Sequence, residues 1–373
     1  MRVICAPDKF KQACSAQVAA AALARGVLDA APTASVVELP LADGGEGTLD
    51  VLRSAFPDRR KVRVSGPLGN AVDAQIGFSA DGRRALVESA QACGLWRLQE
   101  HERDPLKTTT TGVGEMIRAA LDAGATEVAV GLGGSATSDG GAGMAKALGA
   151  RFLDGTGAEI HPTGGELMKL RSLDLSRLDA RLKSVKLTAL CDVMTPMLGE
   201  HGASRKFVVQ KGGTTRALHK LEESLALLQL AAQGAGIAAK GIEPGTGSAG
   251  GLGFGVWALL GGTLRSGASA VLELHGFARL LQGASLVLTG EGSFDAQTNE
   301  GKLIASLAPL CRAANVPLVV LAGIVEPGVE IAGVTAAFGI ARFGARKQDN
   351  LDETEASLQR HAAFVTRLLA AKG

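Results

Sequence analysis

The 373-residue sequence contains no tyrosine, and Phe and Trp raise the aromatic share only to 3%. That is too few for the stacking platforms on which single-stranded nucleic acid is bound. The five cysteines, at 5, 14, 93, 191 and 311, are scattered, odd in number and never spaced as Cys-x-x-Cys. Neither a disulfide framework nor a zinc site is expected from them, and a reduced, cytoplasmic setting fits. Charge of one sign is missing too. A formal net charge of +2, with no block of like charges, gives nucleic acid no basic field to meet. No apolar run approaches the roughly 18 residues that span a bilayer, so no membrane partner is expected. The Ala-rich stretch 13-ACSAQVAAAALA-24 is not read as a leader, because 8-DKFK-11 and the strand-like 2-RVICA-6 precede it.

Several catalytic signatures are absent as well. No G-x-x-x-x-G-K-[ST] occurs; Lys302 in 300-EGKL-303 lacks the upstream glycine and the following hydroxyl. G-x-S-x-G is missing, and only His201 stands near a charged glycine loop, which leaves a Ser-His-Asp hydrolase poorly supported. Residues 245-GTGSAG-250 do match G-x-G-x-x-G, but 240-KGIEP-244 ahead of them is no strand, so a nicotinamide cofactor is not expected.

What the chain has is glycine. Fifty glycines are about twice the average share, and they gather in loops. With 46% hydrophobic and 20% charged residues the chain is a folded protein, long enough for two domains. Its N-terminal part alternates strand and helix: strand 2-RVICA-6, a helix capped by Ser15 with Ala19, Leu23 and Val27 on one face, strand 35-SVVEL-39, and a helix over 48-TLDVLRSA-55. Segments 61-KVRVS-65, 72-VDAQIGFS-79 and 83-RRALVES-89 then read as hairpin-linked antiparallel strands. The first rhythm returns with 284-ASLVLTG-290, a helix over 301–314, 316-VPLVVLAG-323, 334-VTAAFGI-340 and a last helix over 350–371. The expected fold is α/β: a doubly wound parallel sheet from 1–60 plus 282–373, with a second α/β domain, 61–281, inserted. The ligand site is expected in the cleft between them. A head-to-tail split is the alternative.

Seven segments share one texture of small residues, glycines and charges after a predicted strand: 6-APDKFK-11, 42-ADGGEG-47, 133-GGSATSDGG-141, 190-LCDVMTP-196, 202-GASRKFVVQKG-212, 245-GTGSAGGLGFG-255 and 289-TGEGSFDAQTNEGK-302. Any one of them is more simply a tight turn or a helix cap. Together they point to one kind of site. Glycine lets backbone N–H groups approach an anion, Lys and Arg bind phosphate or carboxylate, and Asp and Glu hold Mg²⁺ or take a proton. The expected chemistry is phosphoryl transfer.

All of these segments except 245–255, with 65-SGPLG-69 and 210-QKG-212, closely resemble the bacterial glycerate kinases of the type I family, in order and with similar spacing from residue 1 to about 323. The resemblance implies ATP-dependent phosphorylation of D-glycerate on the 2-hydroxyl, and two α/β domains, one of them Rossmann-like. Two departures stand out. Val208 and Val209 replace the Gly-Pro that many relatives carry before Gln-Lys-Gly, and 339-GIARFGARKQDNLDETEA-356 matches the family poorly. On this reading the loop 131–143 meets the ATP phosphates through Gly133, Gly134 and Gly140 and through the hydroxyls of Ser135 and Thr137, with Lys211 and Lys302 beside them. Asp192 is preferred as the base, with Asp8 or Asp295 in reserve, and Lys9 assists. Asp8, Lys11 and Arg205 bind substrate, the planar fork of Arg205 suiting the glycerate carboxylate. Asp43, Glu291 and Asp295 hold Mg²⁺. A kinase for another small hydroxy acid is one rival. A phosphate-binding regulatory domain without turnover is another, which the many carboxylates argue against, since they repel phosphate unless a metal intervenes. The expected partners are D-glycerate and ATP, and the oligomeric state stays open, a homodimer included.

Overall fold

A computed structural model of the chain describes residues 1–295, 298, 303–342 and 346–371. The chain opens with β1 (Arg2–Cys5), α1 (Ala16–Ala30) and β2 (Ser35–Glu38). It continues through α2 (Thr48–Val51), β3 (Asp58–Ser65), β4 (Ala71–Phe78), β5 (Arg84–Glu88), α3 (Ser89–Cys93), α4 (Thr111–Asp122), β6 (Glu127–Gly131) and α5 (Ala142–Ala147). The antiparallel pair β7 (Arg151–Leu153) and β8 (Ser172–Asp174) leads to β9 (Lys186–Leu190), α6 (Ala203–Phe207), α7 (Thr215–Gly234), α8 (Ser248–Phe254) and β10 (Thr263–Arg265). The remainder is α9 (Gly267–Leu274), α10 (Phe277–Leu280), β11 (Leu286–Thr289), β12 (Ser293–Phe294), α11 (Leu303–Ala313), β13 (Leu318–Ala322), β14 (Ile324–Val325), β15 (Ala336–Gly339), α12 (Lys347–Asp352) and α13 (Thr354–Ala370). Among the described residues no helix is long and apolar enough to cross a membrane.

By compactness the chain divides into Met1–Asp43 with Ala268–Gly373, and Gly44–Gly267. In the first unit five parallel strands lie in the order β15-β13-β11-β1-β2. Strand β1 thus pairs with β11 across more than two hundred and eighty residues of sequence, Val3 opposite Leu286 and Cys5 opposite Leu288. Strands 286-LVLT-289 and 318-LVVLA-322 are buried along their whole length, as parallel strands covered on both faces require. Val3, Cys5, Leu286 and Leu288 pack with Leu23 and Val27 of α1 and Leu358 and Ala362 of α13. Val320 and Ala322 turn the other way, onto Phe294 and Ile304. From β1 the chain runs to β2 on one side, while β11, β13 and β15 follow on the other. The order therefore reverses between β1 and β11, and beyond the carboxyl ends of such a switch point open α/β sheets bind their ligands.

The second unit holds a six-stranded sheet ordered β10-β9-β6-β5-β4-β3. Its first four strands are parallel and its last two antiparallel. Val87, Val128, Val130 and Ala189 of the sheet pack with Val113, Met116, Ile117 and Ala120 of α4, at helical spacing, and with Leu225 and Leu228 of α7.

The boundaries between units lie at 43/44 and 267/268, where the sequence pattern had placed them at 60/61 and 281/282. The residues between explain the shift. A Cβ on Gly77 of β4 would lie 2.4 Å from a Leu49 methyl carbon and 3.0 Å from the Phe56 Cβ, so the segment after Asp43 is seated on the second sheet. The helix expected over 48–55 is accordingly only α2, because the chain must turn within a few residues to enter β3 at Asp58. The helix expected over 350–371 is two, α12 and α13, broken at Glu353.

Contact between α1 and α13 tests this arrangement. A Cβ on Gly26 would stand 2.1 Å from the Gln359 carbonyl oxygen. On an open helix face Gly→Ala gains about 1 kcal/mol; here Gly26→Ala should instead lose about 1–3 kcal/mol through overpacking. The readout is a lower urea midpoint at unchanged slope. A raised midpoint would contradict the packing.

Candidate active site

In the first unit the candidate residues gather at the carboxyl edge of the sheet. Asp8, Lys9 and Lys11 lie on the loop after β1, Asp43 on the segment after β2, and Glu291 and Asp295 after β11 and β12. The loops are tied to one another: the Asp8 amide donates to the Gly290 carbonyl (2.9 Å), and the Leu41 amide to the Pro7 carbonyl (2.9 Å). The amide of Lys9 donates to Asp8 Oδ1 at 2.7 Å. Burial pushes the Asp8 carboxyl up to about 8, the Asp43 and Glu291 charges push the same way, and the amide and ammonium of Lys9 pull against them. Asp8, Asp43 and Glu291 thus share one electrostatic neighbourhood. Glu291 and Asp295 are joined through buried Thr298, whose hydroxyl donates to Glu291 Oε1 (3.3 Å) and accepts from the Asp295 amide (3.1 Å). Lys302 lies outside the described residues. Among those described, no group of three His, Cys, Asp or Glu side chains closes into a metal cage.

In the second unit the glycine loop follows β6. Its glycines serve close approach, and much of what they approach is the protein itself. A Cβ on Gly131 would lie 2.3 Å from the Gly44 carbonyl oxygen, and one on Gly133 would lie 2.4 Å from the Gly45 Cα. The loops 44–47 and 131–134 are therefore stacked backbone on backbone. Gly140 is buried, at φ +65°, with its Cβ position 2.2 Å from a Leu228 methyl carbon, and its amide donates to the Gly250 carbonyl at 3.1 Å. Gly140, expected to face a phosphate, is covered by Leu225 and Leu228 of α7. Gly134 differs, being exposed at φ +74° with nothing nearer to its Cβ position than 3.5 Å.

The hydroxyls of this loop also turn inward. Thr137 is fully buried, with Oγ1 3.9 Å from Cys93 Sγ, and Ser135 Oγ lies 3.4 Å from the Lys211 ammonium. Lys211, only 6% exposed, also donates to the Thr137 carbonyl. Arg205 is committed elsewhere: its Nε lies 2.6 Å from Glu222 Oε1 and its Nη2 3.0 Å from Oε2, a bidentate pair with α7. Asp192, after β9, accepts from the Ser266 hydroxyl at 2.7 Å.

Two carboxylates that sequence reasoning passed over organise these loops. Asp139 is wholly buried and accepts from the Thr110 amide (2.8 Å) and hydroxyl (2.9 Å), the Gly141 amide (3.1 Å) and the Gly143 amide (3.2 Å). It ties the start of α4 to the start of α5; burial pushes its carboxyl up, and those donors pull it down. Glu88, buried at the end of β5, accepts from the Leu49 amide and from Gln91 Nε2 (3.4 Å), which fixes the first turn of α2 beyond the 44–47 loop. Burial raises its carboxyl as well. The signal that could have found both is an acidic residue at the carboxyl end of a strand or just ahead of a glycine-led helix.

Comparison with known proteins adds the identity of the fold. The glycerate kinase family model matches residues 3–370. A Bacillus subtilis (strain 168) protein named glycerate kinase is 42% identical over 367 residues, which cover 97% of this chain and 96% of that protein. Glycerate 2-kinase of Escherichia coli (strain K12) is 39% identical over 345 residues, covering 91% and 90% respectively. A crystal structure from Salmonella typhimurium LT2, assigned as a glycerate kinase 2, superposes with a TM-score of 0.83 at 38% identity, covering 100% of this chain and 99% of that one. The chain belongs to the glycerate kinase family, a family of phosphotransferases.

The two glycine environments make a paired prediction. Gly134→Ala should cost roughly 1 kcal/mol, the strain of a positive φ alone. Gly140→Ala adds overpacking against Leu228 and should cost about 2–4 kcal/mol. Equal losses in denaturant melts would contradict the inward role of Gly140.

Proposed function

We propose that this member of the glycerate kinase family transfers the terminal phosphoryl group of ATP to the 2-hydroxyl of D-glycerate, giving 2-phosphoglycerate and ADP. The observation that carries the reading is the near end-to-end likeness to the Escherichia coli protein named glycerate 2-kinase, 39% identical over 345 residues. The reaction asks a protein mainly for positioning and for neutralising charge, and the side chains supply candidates for both.

In this reading the turn at half-buried Gly133 and exposed Gly134 receives the nucleotide phosphates through backbone N–H groups. Lys9 and Lys11, on the loop of Asp8, hold the glycerate carboxylate, since Arg205 is engaged by Glu222. The donor set at the sheet edge fits Mg²⁺, which takes one or two protein carboxylates beside water and substrate phosphate and needs no cage of three. Asp43 and Glu291 would hold it, with Asp295 linked to Glu291 through Thr298. When bound, the metal neutralises charge on the transferred phosphoryl oxygens. Asp192, oriented by Ser266, accepts the proton of the attacking hydroxyl. A second reading gives that role to Asp8, whose carboxyl is pushed up to about 8 by burial and by Asp43, near the range in which a general base works best. A reduced, cytoplasmic setting belongs to the proposal and agrees with five unpaired thiols.

A coupled ADP-release assay across D-glycerate, L-glycerate, lactate and glycerol tests the substrate assignment. D-Glycerate should be turned over in preference to the rest, and only with Mg²⁺ present. Faster turnover of lactate or glycerol, or no ADP release with any of them, would overturn it. Asp192→Asn should lower kcat by about 10²–10⁴ while ATP affinity stays nearly unchanged and added Mg²⁺ restores nothing. A rate close to wild type, with the loss appearing in Asp8→Asn instead, would move the base to Asp8.

A further inference from the structure

A buried lysine is an unusual neighbour for a glycine-rich loop. Lys211 sits on the short turn between α6 and α7, at 6% exposure, and its ammonium points into the underside of the glycine loop. It donates to the Thr137 carbonyl, and Ser135 Oγ lies 3.4 Å away. A Cβ on Gly250 would stand 2.8 Å from Nζ, so α8 leaves room for the ammonium only because that residue is glycine. The rest of the segment is pinned by backbone bonds: the Leu95 amide to the Gly134 carbonyl (2.8 Å), the Ala136 amide to the Cys93 carbonyl (2.8 Å) and the Gly140 amide to the Gly250 carbonyl (3.1 Å). Residues 134–140 are thus held by α3, α8 and Lys211, with Asp139 anchoring their far end.

We infer that Lys211 is a positioning residue: from beneath, it sets the conformation of Ser135–Thr137 and so the height of the Gly133–Gly134 turn, and it does not itself touch the nucleotide. The inference rests on the reading that this turn receives phosphates, and it replaces the expectation that Lys211 is a phosphate ligand. Three features favour the brace over the ligand. Its hydrogen bonds go to the loop, its head is enclosed, and the Thr137 carbonyl is a buried acceptor that must find a donor.

The environment gives the brace a sign with pH. The titratable groups facing the ammonium are Cys93, from α3, and Asp139, from the loop; the α8 side presents Gly250. Burial brings the ammonium down to about 8, against the pull of Cys93 and Asp139. Opening the loop returns Lys211 to water, where its ordinary value is restored, so above about pH 8, where the enclosed group has lost its proton, opening takes one up. Low pH therefore favours the open loop, and rising pH through about 8 favours the closed one.

Hydrogen exchange of the free protein tests the proposal, read on peptides covering 131–143 and corrected for intrinsic rates, with ATP affinity measured by calorimetry. In Lys211→Met the loop should exchange about tenfold faster or more, the loss of a hydrogen bond from a charged donor, while β6 and α4 keep their protection. ATP should bind at least about tenfold more weakly and glycerate little changed. An unchanged loop with weakened ATP binding would overturn the proposal and restore Lys211 as a ligand. A loosened loop with unchanged ATP affinity would uphold the brace and overturn the reading that this turn receives phosphates. Should the variant not fold, the wild-type protein decides: loop protection should rise about tenfold between about pH 6.5 and about pH 9, and protection that is flat or falls would overturn the proposal.

Discussion

An atom placed as Cβ on Gly133 would stand 2.4 Å from the Cα of Gly45, and the arrangement of the loops in the second unit follows from that approach. Segments separated by some ninety residues of sequence can lie backbone on backbone only where both lack side chains. The same device recurs where Gly141 meets the Cα of Gly255 at 2.8 Å from its Cβ position, and where Gly140 bonds to Gly250. Glycine gives up about 0.5–1 kcal/mol per residue in conformational entropy when it is fixed. Buried polar groups offset that loss: Asp139 gathers donors from Thr110, Gly141 and Gly143, Glu88 holds the first turn of α2, and Lys211 fills the space beneath Thr137. The conformation of the loop is thus fixed by contacts within the chain itself.

The first unit works differently, by gathering carboxylates whose charges raise one another's proton affinity. Parallel strands β11, β1 and β2 are neighbours, so the loops at their carboxyl ends deliver Glu291, Asp8 and Asp43 to one edge. Burial and mutual repulsion keep Asp8 from ionising at the usual carboxylate pH. A fold retains such an arrangement readily where a cation is to be met. The reading proposed above therefore assigns metal to this edge and phosphate to the glycine turn.

Much of this was legible from the residues. The alternation of strand and helix at both ends of the chain exposed the α/β fold, because a parallel strand buried on both faces is apolar throughout. The seven glycine-rich segments marked where the loops approach closely. They did not say what is approached: a glycine that meets Leu228 and one that meets solvent look alike in sequence. Charge partners were illegible for the same reason. Arg205 reads as a free fork until Glu222, seventeen residues on, is found against it, and nothing in the sequence marks Lys211, read as a cation beside the phosphates, as buried. Asp139 and Glu88 went unmarked because their partners are backbone amides of remote segments, which leave no trace in residue identity. The division at Asp43, against the expected 60/61, had no mark in the sequence, because Leu49 and Phe56 are placed by their contact with Gly77 of β4, whatever rhythm α2 shares with the preceding strand.

The central claim is regiospecific transfer from ATP to glycerate. Its most direct test is phosphorus NMR of the product formed when the purified protein is incubated with ATP, Mg²⁺ and D-glycerate. The account predicts a phosphate on the 2-hydroxyl, coupled to a single carbon-bound proton, appearing in step with ADP. Phosphate on the 3-hydroxyl, coupled to two protons, or ATP consumed with only inorganic phosphate released, would contradict it.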